Sequence, residues 1–214
     1  MNTIQKIVYW SDRWLPLFTI LEENRARWFV RRFRAEEWFS AGGGLLDIGS
    51  GVGDVTKAIQ SATRCNVVGM DNVDYRRLGN RINPKNPYLL GDGRSLPFKH
   101  DSFDGVLLIW ALHHMQNPFE VLSEAFRVMR KGGRIVILED LIDQSRPFTK
   151  RLVRAYDQVI NLELRSHAER NFSLTELDKI VRENFSVRGI ELSEVPASHK
   201  FGVIKFGILR YEKL

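Results

Sequence analysis

From residue 44 onward, short apolar β-rich runs alternate with helical patterns, which predicts an α/β domain built on a mostly parallel sheet. The last two such runs are joined only by residues 194–201, with Pro196 among them. That link is too short for a helical crossover, so it predicts an antiparallel pair at one edge. A glycine-rich loop directly after the first run marks where such a sheet would meet a ligand.

Seven strands are expected, near 44–48, 66–70, 88–91, 103–109, 133–139, 187–193 and 203–210. Helices are expected over 55–62, 118–129, 148–168 and 174–184, each with an apolar stripe at intervals of three or four. Ser173 and Glu176 stand at capping-box spacing before the last helix. In the 148–168 segment Phe148, Leu152, Tyr156 and Val159 form the stripe, while Lys150, Arg151 and Arg154 lie off it, the pattern of a lid. Between Asp71 and Tyr88, Pro84 and Pro87 leave room for only a short helix near 73–80.

Residues 1–43 carry nine of the 23 aromatic residues and four of the five Trp, together with the basic run from Arg25 to Arg34. They are read as an N-terminal helical appendage, 44–214 as the main domain, and 145–172 as a helical insertion after the fifth strand. Trp14, Phe18, Leu21, Trp28, Phe29 and Phe33 are expected to pack on the core or over a pocket while the arginines stay wet. A basic aromatic helix also suits a membrane surface or nucleic acid.

The composition, 43% hydrophobic and 27% charged, excludes disorder, collagen and coiled coil. Cys65 is the only cysteine, so there is no internal disulfide, and no Cys/His spacing suggests zinc or another metal; a reducing cytoplasm is the expected compartment. The longest apolar stretch, Val106 to Leu112, is far short of the roughly 18 residues of a membrane span, and the N-terminus lacks a signal-peptide core. A net charge of +6 permits contact with anions without requiring it.

The segment Leu45-Leu-Asp-Ile-Gly-Ser-Gly-Val-Gly-Asp54 runs a short strand into three glycines spaced by two and then into a helix. A chain that turns sharply off a strand end and passes close to a ligand cannot carry side chains there. The second strand ends in Asp71, 24 residues after Asp47, about where a ribose-binding carboxylate is expected. The third ends in Leu90-Gly-Asp-Gly-Arg94, which brings Asp92 to the same edge, able to accept from an exocyclic amine. The loop reads Gly49-x-Gly51-x-Gly53 rather than G-x-G-x-x-G, and it is not followed by Lys and Ser or Thr. Dinucleotide-dependent hydride transfer and Walker-type phosphoryl transfer are therefore disfavoured.

These residues resemble a class I S-adenosylmethionine-dependent methyltransferase. The resemblance rests on Asp47-Ile-Gly-Ser-Gly-Val-Gly53, Asp71, Asp92, Leu96-Pro-Phe98, Ser102-Phe-Asp-Gly105, Ala111-Leu-His-His-Met115 and Arg127-Val-Met-Arg-Lys-Gly-Gly133. The series most resembles the type 11 branch that includes the ubiquinone and menaquinone C-methyltransferases. The resemblance implies a Rossmann-like three-layer α/β sandwich with strand order 3-2-1-4-5-7-6 and strand 7 antiparallel. By position it puts Gly49, Ser50, Gly51 and Gly53 along the methionine part of S-adenosylmethionine, with Asp47 below them orienting the loop. It puts Asp71 on the ribose, Asn72 and Asp92 on the adenine, and Gly93 and Arg94 on the adjacent wall. Trp110 falls near the methionine end, where its ring could meet the sulfonium; a small polar residue is common at that position in the family, so Trp110 is a departure.

His113 and His114 are the acid/base candidates, since an imidazole suits proton removal near neutral pH. A structural or pocket-shaping role for the pair is the competing reading. The function expected is methyl transfer to a small, largely apolar molecule. RNA methylation and a non-catalytic adaptor at a membrane surface are the alternatives.

Overall fold

The computed structural model describes residues 26–51, 53–73, 87–142, 172–196 and 204–214. The lid helix expected over 148–168, most of the short helix near 73–80, and Trp14, Phe18 and Leu21 lie outside the described residues. One seven-stranded sheet runs in the order β3-β2-β1-β4-β5-β7-β6. Its strands are β1 Gly44–Ile48, β2 Asn66–Asp71, β3 Tyr88–Leu90, β4 Phe103–Ile109, β5 Met129–Ile142, β6 Val187–Pro196 and β7 Ile204–Lys213. The pairs among β1 to β5 are parallel, whereas β7 runs antiparallel to both β5 and β6. This is the α/β order implied by the resemblance, with the mixed edge that the short last link predicts.

Among the described residues the sheet is flanked by α1 Asp54–Thr63, α2 Pro118–Val128 and α3 Leu174–Asn184. Pro118 opens α2, where its missing N–H costs nothing. Ser173 caps α3, its hydroxyl accepting from the Glu176 N–H at 3.1 Å. Side-chain alternation along the strands divides the core into two layers. Leu46, Ile48, Val106 and Leu108 pack with Leu122 and Phe126 of α2 and Leu177 and Val181 of α3. On the opposite face Leu45, Leu107, Val136 and Leu138 pack with Ile59 of α1.

Residues 26–32 are helical and join the second layer through Phe29 and Phe33, followed by Trp38 and Phe39. Phe29 and Trp38 are fully buried, and the Trp38 indole N–H donates to the Phe33 carbonyl at 3.0 Å. A Cβ at Gly105 would overlap the Phe39 ring, so this glycine on β4 makes room for the segment. Arg27, Arg31 and Arg32 are exposed.

β5 begins at Met129, straight after α2, rather than near Gly133 as the pattern suggests. The Arg130-Lys-Gly-Gly133 stretch is a bulge inside the strand: pairing with β4 shifts register between Phe103 and Gly105, and Gly132 takes φ +73°. β5 and β7 both run past their expected ends because they pair with each other from Arg134↔Glu212 to Ile142↔Ile204.

Candidate active site

The carboxyl ends of β1, β2 and β4, with the segments that follow β3 and β4, surround a cavity of about 480 Å³, a size suited to a small-molecule ligand. Ile48, Gly49 and Gly51 come from β1 and its loop, and Met70, Asp71 and Asn72 from β2. Gly91 to Arg94 form the next stretch of wall, and Trp110, Ala111, His114, Met115 and Gln116 close the far side.

The glycine loop is shaped by three positive φ angles, +79° at Gly49, +56° at Gly51 and +86° at Gly53. An added Cβ at Gly49 would stand 2.7 Å from the Ala111 Cβ, so the loop and the segment after β4 approach too closely for any side chain there. At Gly51 an added Cβ would meet nothing within 4 Å, which leaves main chain facing open space. Gly49 and Ser50 both donate their N–H groups to the Met70 carbonyl, at 2.8 and 3.1 Å. The Gly51 N–H donates to Asp71 Oδ2 at 2.9 Å. The amides of Gly49, Ser50 and Gly51 are therefore spent on holding the loop to β2.

Asp71 accepts the Val73 N–H on its other oxygen at 3.0 Å. The carboxylate has about four acceptor sites and so keeps capacity for a ligand hydroxyl beside its main-chain partners. Burial raises the Asp71 pKa, and main-chain N–H groups of Val73, Gly51 and Asn72 pull it back. Asp92 behaves differently. It is clasped by Arg94, whose Nη2 lies 2.7 Å from Oδ2, and this bond holds the Asp92 carboxyl below the usual range. Both side chains of that pair are about half exposed, so the clasp is a weak one that a ligand amine could compete for.

Asp47 lies under the loop, outside the cavity lining, and is 2% exposed. Thr56 of α1 donates its hydroxyl to Asp47 Oδ2 at 2.5 Å, tying the start of the helix to β1. Burial pushes the Asp47 carboxyl up to about 7, against the pull of the Thr56 hydrogen bond. Two expected lining residues lie elsewhere. The Ser50 hydroxyl is buried without a hydrogen-bond partner and turned toward β2, so that a Cβ at Gly69 would come within 2.8 Å of it. Gly53 caps the N-terminus of α1 away from the lining.

Trp110 stands at φ +52°, a left-handed conformation that is rare for a bulky residue and is held here by its N–H donating to the Leu138 carbonyl at 2.7 Å. Its ring packs on Phe29 and Phe206, with centroids 5.4 and 5.6 Å away. One residue thus belongs both to the cavity wall and to an aromatic cluster that reaches the N-terminal segment. His114 lines the cavity, whereas His113 sits beneath it with ring centroids 3.8 Å apart.

Sequence reasoning overlooked Glu139. It is wholly buried at the carboxyl end of β5, where Oε1 accepts the Ala111 and Leu112 N–H groups at 3.1 and 2.7 Å. His113 Nδ1 lies 2.5 Å from Oε2. The signal was present in the sequence as a lone acid closing the apolar run Ile135 to Leu138, at the same edge as Asp71 and Asp92. A second cavity, about 380 Å³, lies by Arg130 and Arg134 near the start of β4. Its arginines are engaged by Asp104 and by the Trp38 carbonyl, as braces of the fold.

Residues 46–137 match the family model described as a methyltransferase domain, type 11. A demethylmenaquinone methyltransferase of Symbiobacterium thermophilum is 35% identical over 129 residues, which are 56% of this chain and 50% of that protein. The sterol 24-C-methyltransferase of Schizosaccharomyces pombe is 35% identical over 105 residues, 46% of this chain and 28% of that one. The chain thus spans half or less of these curated relatives. A crystal structure of an S-adenosylmethionine-dependent methyltransferase from Thermotoga maritima superposes over 100% of both chains, with a TM-score of 0.66 at 19% identity, and supports the fold.

Residues 46–137 are thus similar to a methyltransferase domain, a match that spans less than half of the chain. The cofactor that the sequence resemblance implies is S-adenosylmethionine. The site is compatible with it: the space beside Gly51 admits a ligand against bare main chain, and Asp71 retains acceptor capacity beyond its main-chain partners.

Proposed function

We propose that this chain transfers a methyl group from S-adenosylmethionine to a small, largely apolar acceptor. The observation that carries this reading is the unlike character of the two cavity walls. Short acids and glycine main chain line one side, and Trp110, backed by Phe29 and Phe206, lines the other.

Asp71 would hold the ribose, while Asn72, Asp92, Gly93 and Arg94 would flank the adenine. Gly49 and Gly51 would let the methionine part lie against main chain, with Asp47 and Thr56 bracing the loop from below. When bound, the cofactor supplies a sulfonium methyl group that is already activated toward nucleophiles. The work left to the protein is alignment, exclusion of water and, where the acceptor loses a proton, a place to put it. His114 lines the cavity and His113 supports it, so the pair is assigned that last task. Trp110 would enclose the acceptor. Relatives named for demethylmenaquinone and for a sterol support an apolar acceptor. Among the described residues no helix is long and apolar enough to cross a membrane. A cytoplasmic location, with acceptors drawn from small molecules, fits this reading.

The test is release of S-adenosylhomocysteine by the purified protein when S-adenosylmethionine is supplied with an organic extract of cells or with bulk RNA. Turnover with the extract alone, abolished in Asp71→Ala, is the expected result. Turnover with RNA alone would replace this reading with nucleic-acid methylation, recognised by Arg27, Arg31 and Arg32.

A further inference from the structure

We propose that Glu139 is the positioning residue of the acceptor side of the cavity: it fixes the segment after β4 and, through His113, compensates the positive charge of the His113–His114 pair when that pair takes up a proton. This rests on the methyl-transfer reading above and adds to it a residue outside the cavity lining.

Glu139 reaches consecutive residues of one segment. Oε1 takes the Ala111 and Leu112 N–H groups, and Oε2 faces His113 Nδ1 at 2.5 Å. A carboxylate that is 0% exposed survives burial only with such a set of partners. The two main-chain donors would already satisfy a structural brace. The bond to His113 goes further and couples the acid to a titratable ring, whose 20% side-chain exposure puts it between the buried acid and the cavity. The His113 ring lies against that of His114, which does line the cavity. The result is a chain of carboxylate, imidazole and imidazole leading from the buried end of β5 to the open space.

A carboxylate only accepts, so the proposed pairing puts the His113 proton on Nδ1, facing Oε2. That fixes the ring's tautomer and orientation, as a carboxylate partner does for histidines that bind metals. In the transfer the acceptor gains the methyl group and releases one proton. That proton goes to the histidine pair and afterwards to water, while the cofactor leaves as neutral S-adenosylhomocysteine. A positive charge on the pair is favoured by the nearby carboxylate at no cost in reorganisation, since Glu139 is already held in place. The other ionisable groups lining the cavity, Asp71, Asp92 and Arg94, belong to the cofactor side.

The discriminating variant is Glu139→Gln. Its amide oxygen can still accept the Ala111 and Leu112 N–H groups, but its NH2 then meets His113 Nδ1, donor against donor, and the ring must move its proton to Nε2. Nitrogen-15 spectra of the histidine rings should show the His113 proton on Nδ1 in the parent and on Nε2 in the variant. S-adenosylhomocysteine affinity should stay within about threefold, while methyl transfer to cell extract falls about tenfold or more, in kcat rather than in the cofactor KM. In a His113→Phe background, which keeps the ring volume, Glu139→Gln should cause no further loss of rate.

An unchanged tautomer, a rate within twofold of the parent, or a full additional loss in the His113→Phe background would each overturn the proposal. Loss of S-adenosylhomocysteine binding together with rate would reduce Glu139 to a structural brace and overturn it as well. The tautomer reports on the Glu139–His113 link without turnover, so failure of the link and failure of the methyl-transfer reading give different results.

Discussion

On the side formed by β1, β2 and the segment after β3, the cavity wall is main chain and short acids, set by residues within a few positions of a strand end. On the side formed by the segment after β4 it carries larger side chains, set by partners far away in sequence: Trp110 by Phe29 and Phe206, and the loop itself by Glu139 of β5. The first wall suits a ligand whose polar groups have fixed places. The second suits one recognised by shape and apolar contact, and it can be remade by changing a few side chains without disturbing the first. If the two walls serve two ligands, substitutions on each side should have separable effects.

The largest expected effect is on the cofactor side. Asp71→Ala should weaken S-adenosylhomocysteine binding by about a hundredfold or more in calorimetry, since two hydrogen bonds to a charged acceptor disappear at about 1.5–3 kcal/mol each. Gly49→Ala comes next. Its Cβ would collide with Ala111 at a φ of +79°, so the loop and the segment after β4 must separate. A destabilisation of about 1–3 kcal/mol by thermal melting, with cofactor affinity down about tenfold, is the expected outcome.

Trp110→Leu tests the other wall. Cofactor affinity should hold within about threefold while the acceptor KM rises about tenfold, the scale expected when an aromatic ring is removed from an apolar site. Equal damage to both ligands would mean that the walls do not divide the work.

A separate effect, read in pH dependence, concerns Asp47, below the loop and outside the cavity. The folded protein keeps its proton up to about 7, whereas the unfolded chain releases it in the ordinary carboxyl range. Between those limits the folded state binds more protons, so the free energy of unfolding falls as pH rises, by up to about 1.4 kcal/mol per pH unit for one such group. Asp47→Asn keeps an acceptor for the Thr56 hydroxyl and removes the titration. Its stability, followed by urea unfolding, should fall less steeply than the parent's between about pH 4 and 7.

The same division explains what could be read in the sequence. The mixed edge and the positions of Asp71, Asp92 and the glycines follow from local pattern, because each depends on a strand end and the few residues after it, whereas the strand order came only with the family resemblance. The outward turn of Ser50 was less legible: which of two neighbours faces a ligand is decided by how the loop is bonded to Met70 and Asp71, and three glycines do not encode that. The start of β5 was expected near Gly133, where the apolar run begins, whereas the register shift against β4 absorbs Arg130 to Gly133 as a bulge inside a longer strand. Glu139 carried a signal, an acid at the end of an apolar strand, but its role depends on His113, 26 positions earlier, and only the sheet brings the two together.

The most direct test of the two-walled account is to incubate the protein with methyl-labelled S-adenosylmethionine and a whole-cell extract, then separate organic-soluble, nucleic-acid and protein fractions. The account predicts label in the organic-soluble fraction, abolished in Asp71→Ala and reduced in Trp110→Leu. Label in the nucleic-acid or protein fraction, untouched by Trp110→Leu, would contradict it.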